Sequence, residues 1–439
     1  MSVISLINKI PFWNPAEKGY FLYKNVPHGL LRKLEEDNLR GTVSFVAEHS
    51  PFYRRKFKER GIDARKIKRP EDLGDFFTTA EDIRANPEEF ICMKADTAYE
   101  TTGTTSKRPK RVYFSRNEVR EAAWAGAVGL WGIGVRPGDR VVSAFDYSFW
   151  VSGPVLAASC EVLGCFHVEA GRIYPADFYE RLKDYGITVI VGDPSWLLGL
   201  AEVAEKRGLW EKPLKLMIGG GENFTEEARR FVEGVWKADF ILSYGQTEAF
   251  GAIGMESRQK EGYHLNEFHN YFEIINRDEQ GYGELVYTTL NRRVMPLVRY
   301  RSGDITRFLE GNPKSGLPGR RIEKLKGRVN EWTATAMGNL APWMFESVFS
   351  SVQGIGPDWQ IVIDKENNKD LVELHIEAQN GGKTPEIFKQ EIFAKVKNEI
   401  SDGWKNYELG LFRLDLKVHP KGTLRTARKL TRLIDRRKF

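Results

Sequence analysis

The sequence predicts an α/β protein with a large N-terminal domain and a small α+β C-terminal one. Three patterns lead there. Between Ala122 and Trp236, apolar runs of strand length alternate with helical segments, as in a mostly parallel sheet flanked by helices. After Asp239 the runs become short strands separated by Gly and Asn turns, the mark of a small antiparallel subdomain. Beyond a Gly/Pro-rich stretch, Glu310 to Gly319, the chain reads strand, strand, helix, strand. A length of 439 residues favours about two to three domains, and we place the boundary at 329. The N-terminal domain then spans 1–329 and the C-terminal one 330–439.

Residues 1–75 are polar and helical in spacing and read as a lid packed on the main domain. Leu31, Leu34, Leu39 and Val43 recur at helical intervals, and Ser50-Pro51 closes that helix before a second one. Strands follow at 140–145, 187–191 and 214–218, with helices at 194–206 and 225–236 between and after them. The antiparallel strands fall at 273–275, 283–289 and 297–300. In the C-terminal domain, strands are expected at 360–363, 371–378 and 412–418, and a helix at 385–400. No internal repeat or low-complexity tract is present.

Charge and cysteine usage narrow the classes of function. The net charge is +6, but residues 421–439 hold eight Lys/Arg and one acid, so the rest of the chain sums to about −1. The basic character belongs to the tail. A nucleic-acid binder would carry it on the folded body, among aromatics; a basic tail equally suits a phosphorylated small molecule. Cys92, Cys160 and Cys165 form no CxxC and read as buried thiols of a reducing compartment. The apolar run before Trp13 is broken by Lys9, and nothing approaches the roughly 18 apolar residues of a membrane span. The expectation is a soluble cytoplasmic protein with no membrane or nucleic-acid partner.

Four stretches carry chemistry. Thr101-Thr102-Gly103-Thr104-Thr105-Ser106-Lys107-Arg108-Pro109-Lys110 offers backbone N–H groups and hydroxyls close in, with cations behind, as a loop around polyphosphate does. Alone it reads as well as a solvated turn. The run 216–222 is a strand ending in Gly219-Gly220-Gly221-Glu222, where ligands sit in an open α/β sheet and a flat ring can lie on backbone. The run 240–248 leads a strand into Tyr244-Gly245-Gln246-Thr247-Glu248. Tyr244 can stack on a base, Thr247 can donate to phosphate, and Glu248 can hold Mg²⁺, which prefers carboxylate and phosphate oxygens. Lastly, 298–305 places Asp304 after a strand, where it can accept both hydroxyls of a ribose.

Together, in this order and spacing, the four resemble the adenylate-forming superfamily of acyl-CoA synthetases, peptide-synthetase adenylation domains and luciferases. They are most similar to its phenylacetate–CoA ligase group. The stretches 49–57, 264–269 and 283–290 look like the same group, so the resemblance covers roughly 30–439. It implies that Thr101, Thr102, Gly103, Thr104 and Thr105 hold the β- and γ-phosphates of ATP. Gly220, Gly221, Glu222, Tyr244 and Gly245 would form the adenine site, and Asp304 would clamp the ribose. Thr247 would touch the α-phosphate, and Glu248 would bind Mg²⁺. Asn330 would be the hinge of a mobile C-terminal domain, with Arg328 near the nucleotide.

The tail 421–430 resembles the superfamily's C-terminal lysine motif, with Lys429 on the lysine. A carboxylate must attack an anionic phosphorus, and a cation between the two offsets their repulsion. The acid would lie beyond the 140–145 strand, where Phe145, Tyr147, Phe149 and Trp150 cluster; an aromatic lining suits an aryl or aryl-acetic acid. Of these, Phe145, Tyr147 and Phe149 are the expected substrate contacts, and Gly338 would meet coenzyme A.

The sequence departs from the group at Ser106, at one extra residue before Pro109, and at Ser243, Phe268, Asn330 and Arg428. No cysteine lies in 311–319, so no structural zinc is expected. The implied activity is ATP- and Mg²⁺-dependent joining of a carboxylic acid to AMP, then transfer to coenzyme A. Two alternatives stay open: an amine, carrier protein or protein side chain as acceptor, or a degenerate nucleotide-binding protein. Nothing in the sequence selects between monomer and homodimer.

Overall fold

The structure, a computed structural model, describes residues 14–101, 109–221, 224, 226–329, 333–340, 342–378, 383–424 and 432–437. It begins with helices α1 (Pro15–Lys24), α2 (His28–His49) and α3 (Pro51–Glu59). Ser50 ends α2 and starts α3, its side chain accepting the Tyr53 N–H with Pro51 at the first helical position. Leu31, Leu39 and Val43 are buried as their spacing requires, whereas Leu34 is 38% exposed.

Tyr53 joins these helices to the rest of the fold. Its fully buried hydroxyl accepts the Val298 N–H at 2.8 Å and pairs with Thr78 Oγ1 at 2.9 Å. We expect Tyr53→Phe to lower the unfolding free energy by about 1–3 kcal/mol, since it leaves a buried N–H without its acceptor. A chemical-denaturation midpoint that does not move would contradict this.

After α4 (Ala80–Ala85), β1 (Thr97–Glu100) and β2 (Arg111–Phe114) pair antiparallel. Helix α5 (Arg116–Gly132) opens with a reciprocal Ser115–Glu118 capping box. Then strands and helices alternate as expected: β3 (Arg140–Ser143), α6 (Ser152–Leu163), β4 (Phe166–Glu169), α7 (Pro175–Leu182), β5 (Val189–Gly192), α8 (Pro194–Arg207), β6 (Leu216–Gly220), α9 (Glu226–Trp236) and β7 (Asp239–Gln246). Strands β3 to β7 pair parallel in the order β7-β6-β5-β3-β4. The chain leaves β3 outward to β4 and returns on the other side to β5, so the order reverses between β3 and β5.

The same sheet continues past β7 in antiparallel register. It adds β8 (Gly251–Glu256) and β9 (Tyr263–Leu265). After β10 (Asn270–Ile275), β11 (Gly283–Thr289) and β12 (Tyr300–Thr306) come β13 (Phe308–Leu309), β14 (Arg321–Ile322) and β15 (Gly327–Arg328). Strands β14 and β13 extend the large sheet from β9, giving it nine strands among the described residues, while β10, β11, β12 and β15 form a separate four-stranded antiparallel sheet.

One strand lies later than expected. The sequence placed it at 297–300 with Asp304 beyond its end; it runs Tyr300–Thr306, with Asp304 inside it. Arg299 has φ +47°, in the left-handed region, so an extended strand cannot pass through it. Its guanidinium is held there by Glu273 Oε1 and Oε2, at 2.8–3.1 Å.

The C-terminal region holds the hairpin β16 (Thr333–Thr335) and β17 (Gly338–Leu340), α10 (Pro342–Ser350), β18 (Ile355–Glu366), β19 (Lys369–Ala378), α11 (Pro385–Glu399), α12 (Ser401–Glu408), β20 (Phe412–Pro420) and β21 (Leu433–Asp435). The order in its larger sheet is β20-β19-β18-β21. The hairpin, α10, α12 and β21 were not anticipated, because three-residue strands and helices of eight or nine residues are too short to show a clear period. An ion pair between Lys369 and Glu202 (2.7 Å) ties this region to α8. Cys160 is buried, and Cys92 and Cys165 are partly buried; all three are free thiols.

Candidate active site

The polyphosphate-type loop is pinned at its neck. The Thr101 N–H donates to the Lys110 carbonyl at 3.0 Å, and the Lys110 N–H donates to Thr101 Oγ1 at 3.1 Å. Strands β1 and β2 continue this ladder through Glu100 and Arg111. Thr102, Gly103, Thr104 and Thr105, expected to touch phosphate, lie outside the described residues.

Lys110 carries this loop into the other motifs. Its ammonium pairs with Glu248 Oε1 and lies 3.1 Å from the Tyr300 hydroxyl, which itself donates to Glu248 Oε1 at 2.8 Å. Glu248 is 2% exposed. Burial alone would push its carboxyl up, but the Lys110 charge and the two hydrogen bonds prevail and hold it below the usual carboxylate range. Thr247 and Glu248 sit on a single 3₁₀ turn, Thr247–Ala249, directly after β7.

Asp304 meets the Tyr244 motif. The Tyr244 hydroxyl and the Gln246 Nε2 each donate to Asp304 Oδ2 at 2.6 Å, and the Tyr287 hydroxyl donates to Gln246 Oε1 at 3.0 Å. Asp304 is 1% exposed. Gly245 is required where it stands, since a Cβ there would come 2.4 Å from the Gly251 carbonyl oxygen. Gly221 has φ +91° at the end of β6, and a Cβ on Gly220 would fall 2.7 Å from Ser243 Oγ and 3.6 Å from the Phe145 ring. Glu222 lies outside the described residues.

Around the expected acid site the aromatics separate. Phe145 lies against Gly220, and Tyr147 packs its ring on Gly153 at the start of α6. Burial pushes the Tyr147 phenol up to about 12, so it stays a hydrogen-bond donor. Phe149 is 67% exposed, and its carbonyl accepts the Glu100 N–H at 2.9 Å.

In the C-terminal region, Gly338 opens β17 with φ +111°. The buried Glu377 carboxylate accepts the Gly422 N–H at 2.8 Å and the Leu424 N–H at 2.7 Å. These hold the chain just before 425–431, the segment that contains Lys429 and lies outside the described residues, as does Asn330. Arg328 is described by its backbone, paired opposite Asp304.

Sequence reasoning missed Lys110 as a site member, together with Tyr300 and Gln246. A cation one residue past Pro109, opening β2, was the available signal for the first. It also missed Arg172 and Asp193, which follow β4 and β5 and pair at 3.2 Å. Each is a charged residue just beyond the carboxyl end of a strand, β4 and β5, on either side of β3.

Comparison with known proteins adds the following. The AMP-binding enzyme family matches residues 59–281, and the AMP-binding enzyme C-terminal domain matches 338–437. Phenylacetate-coenzyme A ligase of Pseudomonas putida is 30% identical over 369 residues, 80% of this chain and 82% of that protein. The protein of the same name from Thermus thermophilus is 30% identical over 374 residues, 81% and 83% of the two chains. Among solved structures, 2-hydroxyisobutyryl-CoA ligase, in complex with 2-HIB-AMP and CoA in the thioesterification state, superposes with a TM-score of 0.82 at 23% identity, over 98% of this chain and 94% of that one. The amide bond synthetase McbA from Marinactinospora thermotolerans gives 0.53 at 18% identity, over 76% and 67%. The last two likenesses concern the fold.

Proposed function

The chain belongs to the AMP-binding enzyme family, and from that premise we propose that it is an AMP-forming acid–thiol ligase whose nucleotide site is the cleft joining Thr101–Lys110, Tyr244–Glu248 and Asp304. In the first step a carboxylate oxygen attacks the α-phosphorus of ATP, and pyrophosphate leaves. In the second the thiol of coenzyme A attacks the acyl carbon, and AMP leaves. The mixed anhydride is needed because a free carboxylate resists attack, whereas AMP is a good leaving group.

The observation that carries this reading is one of geometry. Residues as far apart in sequence as Lys110, Glu248 and Tyr300, or Tyr244 and Asp304, are hydrogen-bonded in neighbouring clusters at the end of β7. Tyr244 and Gly245 then face the adenine, Asp304 the ribose hydroxyls, and Thr247 the α-phosphate. Gly220 and Phe145 form the wall shared by adenine and acid. The loop of Gly338 would meet the pantetheine arm when the C-terminal domain turns about Asn330 between steps.

Mg²⁺ fits this site by charge and donor type. Glu248 is a buried carboxylate held below the usual carboxylate range, and the charge it now faces is the Lys110 ammonium. Among the described residues, no three His, Cys, Asp or Glu side chains cluster as a cage. That suits an ion that takes most of its ligands from phosphate and water. When bound, the ion supplies positive charge to the phosphate oxygens; Glu248 would hold it, and Lys110 would be released towards the phosphates. A cytoplasmic setting would supply the ATP and coenzyme A this reading requires, and no described helix is long and apolar enough to cross a membrane.

The test is pyrophosphate release over aryl, aryl-acetic, fatty and amino acids, each with coenzyme A, with an amine, or with neither. We expect acid-dependent pyrophosphate release and coenzyme A-dependent thioester formation. AMP release that requires an amine would move the acceptor, and no acid-dependent exchange at all would sink the enzyme reading.

Glu377 gives a second check. Replacing it by Ala frees the Gly422 and Leu424 N–H groups and loosens the attachment of the Lys429 segment. Hydrogen bonds to a charged acceptor are worth about 1.5–3 kcal/mol; a part of that, felt as misplacement of Lys429, should slow adenylation about tenfold. Conversion of a preformed acyl-adenylate should stay near wild type. Equal loss in both half-reactions would assign Glu377 a purely structural role.

A further inference from the structure

We propose that Arg172 reads the distal end of the acid, and that the acid it selects is a dicarboxylic one: one carboxylate is activated and the other sits on the Arg172 guanidinium. This rests on the reading of the chain as an acid-activating ligase.

The guanidinium stands in the crevice where the strand order reverses, the place where open α/β sheets bind ligands. The loop after β4 is drawn over the end of β3, because the Ala170 and Gly171 N–H groups both donate to the Ser143 carbonyl at 3.1 Å. Arg172 follows at once, and its Nη1 lies 3.2 Å from Asp193 Oδ2, just beyond β5. The other oxygen of Asp193 is 3.4 Å from where a Cβ on Gly221 would sit, and the neighbouring Gly220 lies against Phe145. Arg172 is therefore two short contacts from the wall shared by adenine and acid.

Only one side of the guanidinium is used. Nε and Nη2 are buried and have no hydrogen-bond partner among the described residues. Those two N–H groups form the edge that takes a carboxylate side-on, with two parallel hydrogen bonds. This chain uses that edge elsewhere: Arg299 gives Nε and Nη2 to Glu273, and Arg65 gives the same pair to Asp63. Leaving buried donors unpaired is costly, and a ligand carrying acceptors would recover that cost.

The unmet groups here are donors. An ammonium cannot satisfy them, so an amino acid is disfavoured, and a plain aryl ring leaves them as they are. Asp193 pairs with Arg172, and burial pushes its carboxyl above the usual carboxylate range. Selection rests on the paired geometry of Nε and Nη2, which a lysine at this position would not reproduce. About a fifth of each side chain remains open (22% for Arg172, 21% for Asp193), so the pair is not sealed in the core.

Matched acids test this on the full chain by acid-dependent pyrophosphate release with ATP and Mg²⁺. The pairs are phenylacetate with its ring-carboxylated derivatives, benzoate with the phthalate isomers, and butyrate with succinate and glutarate. In at least one pair the dicarboxylic member should have a kcat/KM about 100-fold above its parent, as for sites built to pair a substrate's polar group. Arg172→Met should erase that ratio, whatever it does to the parent acid's own rate, and Arg172→Lys should not restore it. A wild-type preference for every parent acid overturns the inference, as does a ratio that survives Arg172→Met. If the variants do not fold, the wild-type ratios alone decide. Failure of every acid, single or double, would be failure of the ligase reading itself and is distinct from acids that react without preference.

Discussion

Replacing Lys429 by alanine is expected to stop acyl-adenylate formation and to spare the second half-reaction. The carboxylate and the α-phosphate are both anionic, and the transition state brings their oxygens together. A preorganised cation between them in a water-poor site is worth about 10²–10³ in rate. Thioester formation from a preformed acyl-adenylate has no such encounter, so its rate should stay within about twofold of wild type, which follows from the lysine contributing only where charge develops. The segment that carries Lys429 is constrained at both ends. Glu377 holds its start through Gly422 and Leu424, and β21 holds its end by pairing parallel with Ile361, Val362 and Ile363 of β18. Arg425 and Arg428 share that segment and supply the control. If general tail charge is what counts, Arg428→Ala will slow adenylation as much as Lys429→Ala does. If one positioned cation counts, it will not. Single-turnover measurement of both half-reactions decides, and parallel losses in the two would remove Lys429 from the chemistry.

What could be read from the sequence followed locality. Four of the five parallel strands and helices α8 and α9 were visible because an apolar run and a 3.6-residue period are properties of neighbouring residues, whereas β4, Phe166–Glu169, mixes polar and apolar residues and was not. Residues 283–289 were placed as the structure has them for the same reason: Gly and Asn turns bound the run. The antiparallel half of the large sheet was not recognised as continuous with the parallel half. Nothing local distinguishes β8, which pairs with β7, from a strand of a separate sheet. The strand at 300–306 was shifted because the left-handed backbone of Arg299 is imposed from outside, by Glu273 and Thr288. At the site, the glycines, Tyr244, Glu248 and Asp304 stood out because their residue types are unusual at strand ends. Lys110 and Tyr300 did not, since a cation in a basic run and a tyrosine opening a strand each look ordinary until they meet on Glu248. Arg172 and Asp193 were missed likewise. Each is unremarkable after its own strand, and only the pairing order, which sets β4 and β5 on either side of β3, brings the two loops together.

Asp304 should govern ATP affinity, and the effect can be separated from its structural bonds. Asp304→Ala removes a buried carboxylate that accepts from Tyr244 and Gln246 at 2.6 Å. On the proposed reading it would act in two ways: it would delete an acceptor for ribose hydroxyls, and it would release the Tyr244 and Gln246 side chains beside the adenine. Charge-assisted hydrogen bonds of this kind are worth about 1.5–3 kcal/mol, so the KM for ATP should rise by about 10²-fold with a smaller change in kcat. Deoxynucleotides divide the two contributions. In the wild type, 2′-deoxy-ATP and 3′-deoxy-ATP should be poorer substrates than ATP, because each leaves a carboxylate contact unmade. In Asp304→Ala that discrimination should vanish, since there is no contact left to lose. Tyr244→Phe supplies the complementary case. It breaks the 2.6 Å bond from the other side and leaves the carboxylate in place, so it should cost less and keep the preference for ATP over its deoxy forms. If Asp304→Ala instead weakens all three nucleotides while preserving their ratios, the carboxylate serves to hold Tyr244 and Gln246 and does not touch the sugar. The ribose would then have to be recognised by other groups in the cleft. The sign of that one ratio therefore tells a ligand contact from a scaffold, which a loss of activity alone could not do.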